Sequence, residues 1–286
     1  MISDITLGQY FPGTSVVHRL DPRFKIILTI LFMVALFSAR NVFVYAALVL
    51  FTVLLVVASR ISLRVVLRGI RPLVFILIFT LILHVLMSTR TDGRLLIEWK
   101  WLTVYDMDFY RAGVMVLRIV LLVVGTSVLL SYTTTPISLT DAIESLLKPL
   151  SLIRVPVHEF AMMMTIALRF IPTMLEETEK IMNAQKARGA DLSSGNPFKK
   201  IRALIPVLIP LIVSAFQRAL DLATAMECRC YRGSKGRTKL VKLKSTPADF
   251  VALVLFAAVL AGVYLGNHFI PIYLGDSFFL FRIRVG

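Results

Sequence analysis

Two arginines in this chain stand where a helix-forming stretch gives way to a turn. Arg188 lies in Gln185-Lys186-Ala187-Arg188-Gly189-Ala190-Asp191, and Arg229 lies in Ala225-Met226-Glu227-Cys228-Arg229-Cys230-Tyr231-Arg232-Gly233. Glycine follows each within one to four residues, which is where helices end, and a cation there complements the negative end of the helix dipole. An arginine so placed offers a planar, five-donor fork that an acidic groove grips bidentately, so the contact fixes position as well as adding adhesion. The plainer alternative is an arginine that snorkels along the membrane or anchors a lipid phosphate. A helix tipped by arginine twice over favours the first reading: the chain presents two plugs to something.

Other chemistries are poorly served. Cys228 and Cys230 are the only cysteines, one residue apart, so no structural disulfide is expected in a reducing compartment. His18, His84, His158 and His268 are scattered without ligand spacing, and no metal site is expected. Gly233-Ser234-Lys235-Gly236-Arg237-Thr238-Lys239 has the residue types of a phosphate loop but lacks its leading glycine, so this chain is expected to hold no nucleotide and no other cofactor.

The elements that must carry the two arginines are set by a bilayer. Hydrophobic residues make up 57% of the 286, yet net charge is +15, so apolar and basic residues are segregated along the chain. The runs 26–39, 42–59, 72–87, 112–131 and 251–266 carry almost no charge and approach the ~20 residues that cross ~30 Å of hydrocarbon. The fold class is therefore an all-α integral membrane protein with about five transmembrane helices. A region of long amphipathic helices is added to them. Residues 1–131 form an N-terminal segment with four spans, 132–248 a cytoplasmic or interfacial coupling domain, and 249–286 the last span and a tail. Residues 60–71 hold four arginines and no acid, and 132–248 hold 17 basic against nine acidic residues, which places both in the cytoplasm together with the N-terminus.

Within the coupling segment, Ser138 or Thr140 caps a first helix that ends before Pro149. A second helix follows Pro156 and breaks or kinks at Pro172, and Glu176, Glu177 and Glu179 open a third that runs to Arg188. Residues 201–216 are apolar but punctuated by Pro206 and Pro210, and a helix from Gln217 carries the chain to Arg229. Six of eleven methionines lie here: Met162, Met163, Met164, Met174, Met182 and Met226. Ala219 and Ala223 allow close helix approach on the same arm. Core filling is one use of such residues, and an adaptable partner-binding surface is the other.

The N-terminal Gly8-Gln9-Tyr10-Phe11-Pro12-Gly13-Thr14-Ser15, followed by His18-Arg19-Leu20-Asp21-Pro22-Arg23-Phe24-Lys25, resembles the opening signature of the transmembrane T component of energy-coupling factor (ECF) transporters. Leu168-Arg169-Phe170-Ile171-Pro172 leading to Ala187-Arg188-Gly189 is similar to that family's first coupling region. The resemblance implies an ABC-type importer of vitamins or metal ions. Two cytoplasmic ATPase subunits, which bind the ATP, would receive Ala-Arg-Gly triplets in their grooves. A substrate-binding S component, exchangeable for others, would sit against a surface that includes Met162, Met163, Met164, Ala219, Ala223 and Met226. Ala187, Arg188 and Gly189 match the first triplet. At the second, Cys228 and Cys230 replace alanine and glycine around Arg229, so Gly233 is the expected helix stop.

An embedded enzyme would need paired acids within the spans, which contain essentially none; the chain is expected to be non-catalytic, with no charged midplane site. A basic membrane anchor for ribosome or nucleic acid is the alternative suggested by the run 229–244. That run has Tyr231 as its one aromatic, and no nucleic acid partner is expected.

Overall fold

The computed structural model describes residues 10–86, 95–99, 102–153, 155–190, 197–233 and 243–269. Gly8 and Gln9 of the opening signature, the turn cluster at 193–196, most of the basic run after Arg232 and the tail from 270 lie outside them. The described residues fall into two compact units, 10–134 with 244–269, and 135–243.

The first unit contains α1 (Val16–Arg19), α2 (Pro22–Ser38), α3 (Val42–Ser59), α4 (Leu63–Ile70), α5 (Val74–Leu86), α6 (Asp106–Thr126) and α10 (Pro247–Phe269). The one departure from helix among its described residues is an antiparallel hairpin, β1 (Leu95–Trp99) with β2 (Leu102–Tyr105). The second unit contains α7 (Pro136–Leu147), α8 (Val157–Ala187) and α9 (Pro197–Cys228).

Five helices are long and apolar enough to cross a membrane: Val42–Ser59, Leu63–His84, Arg111–Ser131, Arg202–Cys228 and Pro247–Phe269. Four of these contain runs expected from hydropathy. The fifth is α9; α2, which holds the remaining expected run, has 17 residues and rises about 26 Å at 1.5 Å each, the lower end of a spanning length.

α2 is nonetheless the centre of its unit. Leu28, Phe32, Ala35 and Leu36 are buried, and α6 and α10 pack against it. Lipid is as apolar as leucine, so close fit and polar ties hold such helices together more than burial does. The fit is tight at Gly125, where a methyl group would overlap the Phe32 ring.

The ties sit at both ends of α2. At its start, the Lys25 ammonium donates to Thr133 O (2.8 Å) and Thr134 Oγ1 (3.2 Å), groups delivered by a π-helical turn at Ser127–Ser131. Asp249 Oδ1 accepts the Asp21 N–H at 2.8 Å, and Asp249 Oδ2 accepts the N–H and hydroxyl of Thr246 at 2.6 and 2.9 Å. At the other end, Asn267 donates to Ser38 O (2.6 Å) and accepts from the Arg40 N–H (3.1 Å), while Asn41 donates to Gly266 O (3.0 Å).

Within the run 112–131 one charge lies well inside the helix, against the sequence expectation. Arg118, in α6, donates through Nε to the Tyr45 hydroxyl at 2.8 Å and through Nη2 to Ala39 O at 3.2 Å, and stacks over the rings of Phe37 and Tyr45. A single cation among apolar neighbours barely alters a run's mean hydropathy, and these partners satisfy it locally.

Candidate functional site

The helices that end at the two arginines are built in the second unit. Thr135, not Ser138 or Thr140, caps α7: its hydroxyl accepts the Ser138 N–H at 3.2 Å. Pro136 at the first helical position has the φ a helix wants and lacks only an N–H that would be unpaired there anyway. His158 Nδ1 meets Glu144 Oε1 at 2.9 Å and ties α8 to α7.

α8 runs unbroken through Pro172, and α9 through Pro206 and Pro210, where sequence reasoning expected interruptions. A proline removes one helix hydrogen bond, leaving the carbonyl four residues earlier without its donor. For Pro210 that carbonyl is on Pro206, and the Gln185 side chain of α8 donates to it, weakly, at 3.4 Å. Tertiary packing thus supplies part of what the ladder loses.

Further along, Glu177 accepts from the Ser214 hydroxyl and from Arg218 Nη2 (2.7 Å). The Ser214 hydrogen bond first, then Arg218, hold the Glu177 carboxyl below its ordinary value. A side chain added at Gly233 would come within 4.0 Å of Glu159. These pairs, 185 with 206, 177 with 214 and 218, and 159 with 233, run in opposite directions, so α8 and α9 pack antiparallel. Arg188 and Arg229 consequently sit at opposite ends of the pair, roughly 35–40 Å apart along it at 1.5 Å per residue.

The two ends share one geometry. At the first, the N–H of Gly189 bonds to Lys186 O (3.0 Å) and that of Ala190 to Gln185 O (3.0 Å), with Gly189 at φ +86. At the second, the N–H of Cys230 bonds to Glu227 O (2.8 Å) and that of Tyr231 to Met226 O (3.1 Å), with Cys230 at φ +54. Both are Schellman closures, each with arginine as the cap residue followed by a left-handed one. Gly233 is therefore not the stop: α9 ends at Cys228, and Cys230 occupies the place that glycine fills at the first tip. Ala187, Arg188, Gly189, Cys228, Arg229 and Cys230 are all exposed, so both forks are presented outward.

Of the remaining expected contact residues, Met163, Met164, Ala219 and Ala223 are exposed, and Met162 and Met226 half-buried. The antiparallel register puts all six in the half of the pair that ends at Arg229. Sequence reasoning missed Asp249 and the Glu177–Ser214–Arg218 cluster. The first was legible as Thr246-Pro247-Ala248-Asp249, a capping pattern before an apolar run. The second joins residues some 40 positions apart and leaves no local signal.

Comparison with known proteins gives the family. Residues 13–240 match the family model CbiQ, described as cobalt transport protein. The chain is 51% identical over 259 residues to the energy-coupling factor transporter transmembrane protein EcfT of Thermosediminibacter oceani, covering 91% of this chain and 96% of that one. It is 52% identical over 249 residues to the protein of that name from Ruminiclostridium cellulolyticum (87% and 92% covered) and 46% identical over 263 residues to that of Bacillus subtilis (91% and 98%). The chain therefore belongs to the CbiQ/EcfT family of ECF transporter transmembrane components, as a multi-pass, non-catalytic subunit in the bacterial plasma membrane that works in a complex with other transporter subunits.

Proposed function

We propose that the chain is the coupling scaffold of an ABC-type importer, passing ATP-driven movement of two cytoplasmic ATPase subunits to a substrate-binding S component for uptake of a vitamin or metal ion. The observation that carries this reading is the duplicated helix end: two exposed arginines, each held as the cap of a Schellman closure. In this reading Arg188, flanked by Ala187 and Gly189, and Arg229, flanked by Cys228 and Cys230, enter acidic grooves on the two ATPases, which bind the ATP. The surface of Met162, Met163, Met164, Ala219, Ala223 and Met226 seats an exchangeable S component, and unbranched methionines let it accept several shapes. The N-terminus and residues 132–248 stay on the cytoplasmic side, in keeping with their basic excess; α9, apolar enough to cross, then lies along the membrane surface, so that both arginine tips remain in reach of the ATPases.

The test is to purify the complex with Arg188→Ala, Arg229→Ala and the double substitution. Each single change is expected to lower ATPase recovery and uptake, and the double change more than either, with the chain still inserted in the membrane. Full recovery of ATPases and full uptake by the double variant would sink the proposal.

A further inference from the structure

The segment between α3 and α5 has a surface that the coupling reading does not use. Arg60, Arg64, Arg68 and Arg71 are its four arginines; it has no acid, and all four are exposed. Arg64, Arg68 and Arg71 recur at i, i+4 and i+7 and so share one helix face. Leu63 and Leu67 line the neighbouring face and are 68% and 65% exposed, while Val66 turns inward and is buried. α4 leads through a tight turn at Arg71–Leu73 into α5, and together they make up the membrane-crossing length Leu63–His84, so Arg64, Arg68 and Arg71 lie in its first turns, at the membrane surface.

Arg60 adds a backbone clue. It ends α3 at φ +54, with its N–H bonded to Val57 O at 3.0 Å. A left-handed conformation costs a residue bearing a β-carbon about 1–2 kcal/mol, and glycine or asparagine would relax it. What arginine adds at that bend is a fourth exposed guanidinium in the segment 60–71.

Water would leave Leu63 and Leu67 unburied, and a protein partner would need a matching acidic patch that also offers a greasy rim. A membrane surface with anionic lipids meets both faces at once: the leucines enter among acyl chains while guanidinium forks take the phosphodiesters. We infer that α4 with its flanking arginines is a docking face for the headgroups of anionic phospholipids. This inference does not depend on the coupling proposal.

The full chain in mild detergent, titrated with phosphatidylglycerol or with phosphatidylcholine and weighed by native mass spectrometry, tests it. The unaltered chain should retain phosphatidylglycerol in preference. Arg64→Gln/Arg68→Gln should weaken that binding about 25-fold, roughly fivefold for each arginine near an anionic surface, and leave phosphatidylcholine binding unchanged. Arg64→Lys/Arg68→Lys, which keeps the charge, should retain most of the preference. Independently of any substitution, raising salt to about 1 M, where the screening length falls to about 3 Å, should abolish the preference of the unaltered chain. Equal retention of the two lipids, an unaltered affinity in the Gln variant, or displacement of phosphatidylglycerol by millimolar inorganic phosphate would overturn the inference. So would efficient cross-linking of Leu67→Cys to another subunit in the assembled transporter, which would show a protein covering this face.

Discussion

Replacing Asp249 should unsettle the first unit more than any other single polar substitution in it. The side chain is fully buried, and its carboxylate accepts three hydrogen bonds: the Asp21 N–H at 2.8 Å, the Thr246 N–H at 2.6 Å and the Thr246 hydroxyl at 2.9 Å. Asp21 caps α2 and Thr246 immediately precedes α10, so one carboxylate closes the starts of two helices that pack together. It also lies in the field of the Lys25 ammonium, itself 1% exposed. Asp249→Ala leaves the buried Asp21 N–H and the part-exposed Thr246 N–H unpaired and removes a charge that balances Lys25. Hydrogen bonds to charged groups contribute about 1.5–3 kcal/mol each, and breaking a buried charge cluster costs about 3–5 kcal/mol, so a loss of about 4 kcal/mol is expected. Unfolding of the detergent-solubilised chain by increasing dodecyl sulfate, followed by far-UV circular dichroism, measures it. Lys25→Met should be costly as well, but the double variant should lose about 1–2 kcal/mol less than the sum, because the two groups share one cluster. A loss below about 1 kcal/mol for Asp249→Ala, or strict additivity in the cycle, would refute this account of how α2 and α10 are joined.

Two further outcomes follow from the second unit. Gly189 sits at φ +86 with nothing within 4 Å of where a β-carbon would be, so Gly189→Ala should cost about 1–2 kcal/mol of backbone strain alone, fray the last turn of α8 and reduce ATPase recovery with Arg188 intact. Cys230→Gly should leave recovery unchanged, and a loss there would mean that the thiol itself is used. Hydrogen bonding lowers the Glu177 carboxyl from 4.5, so its contribution to α8–α9 packing is fully present above that value and is lost as pH falls through the lower folded value. The thermal midpoint of Glu177→Gln should therefore lie below that of the unaltered chain at pH 7 and converge with it in acid; parallel profiles down to about pH 3, below the ordinary carboxylate range, would exclude the clamp.

What the sequence made legible divides along physical lines. Apolar runs announce themselves because hydrocarbon tolerates no unpaired backbone and demands a set length, and four of the five long apolar helices follow from that requirement. Pro172, Pro206 and Pro210 misled because the rule that proline ends a helix is local, whereas the donor that meets the Pro206 carbonyl comes from Gln185 on another helix. Cys230 misled for a related reason: glycine is preferred at a left-handed closure, not required, and the Cys230 and Tyr231 hydrogen bonds hold the turn without it. Arg118 was hidden by averaging, since its partner Tyr45 lies 73 residues away. The arginine tips were visible because helix-forming stretch, cation and turn are all encoded within a few residues.

The antiparallel packing of α8 and α9 bears on how such a scaffold would act. Two arginines at the same end of a helix pair would read one surface together; at opposite ends they read two surfaces separately, which suits two ATPase subunits. Separate readings become one movement only if the pair between them does not flex. Long helices with internal prolines are prone to bend at the missing hydrogen bond, and α9 has two of them. The contacts that cross to α8 fall at these points: Gln185 reaches the carbonyl that Pro210 leaves unpaired, and Glu177 grips Ser214 and Arg218 within one to two turns beyond it. Under the coupling proposal, a change in the distance between the two ATPases can be relieved either by bending α9 at its prolines or by turning the whole pair. The crossing contacts raise the cost of the first, so displacement at Arg188 and Arg229 is passed on as rotation of the Met-rich half rather than absorbed within it.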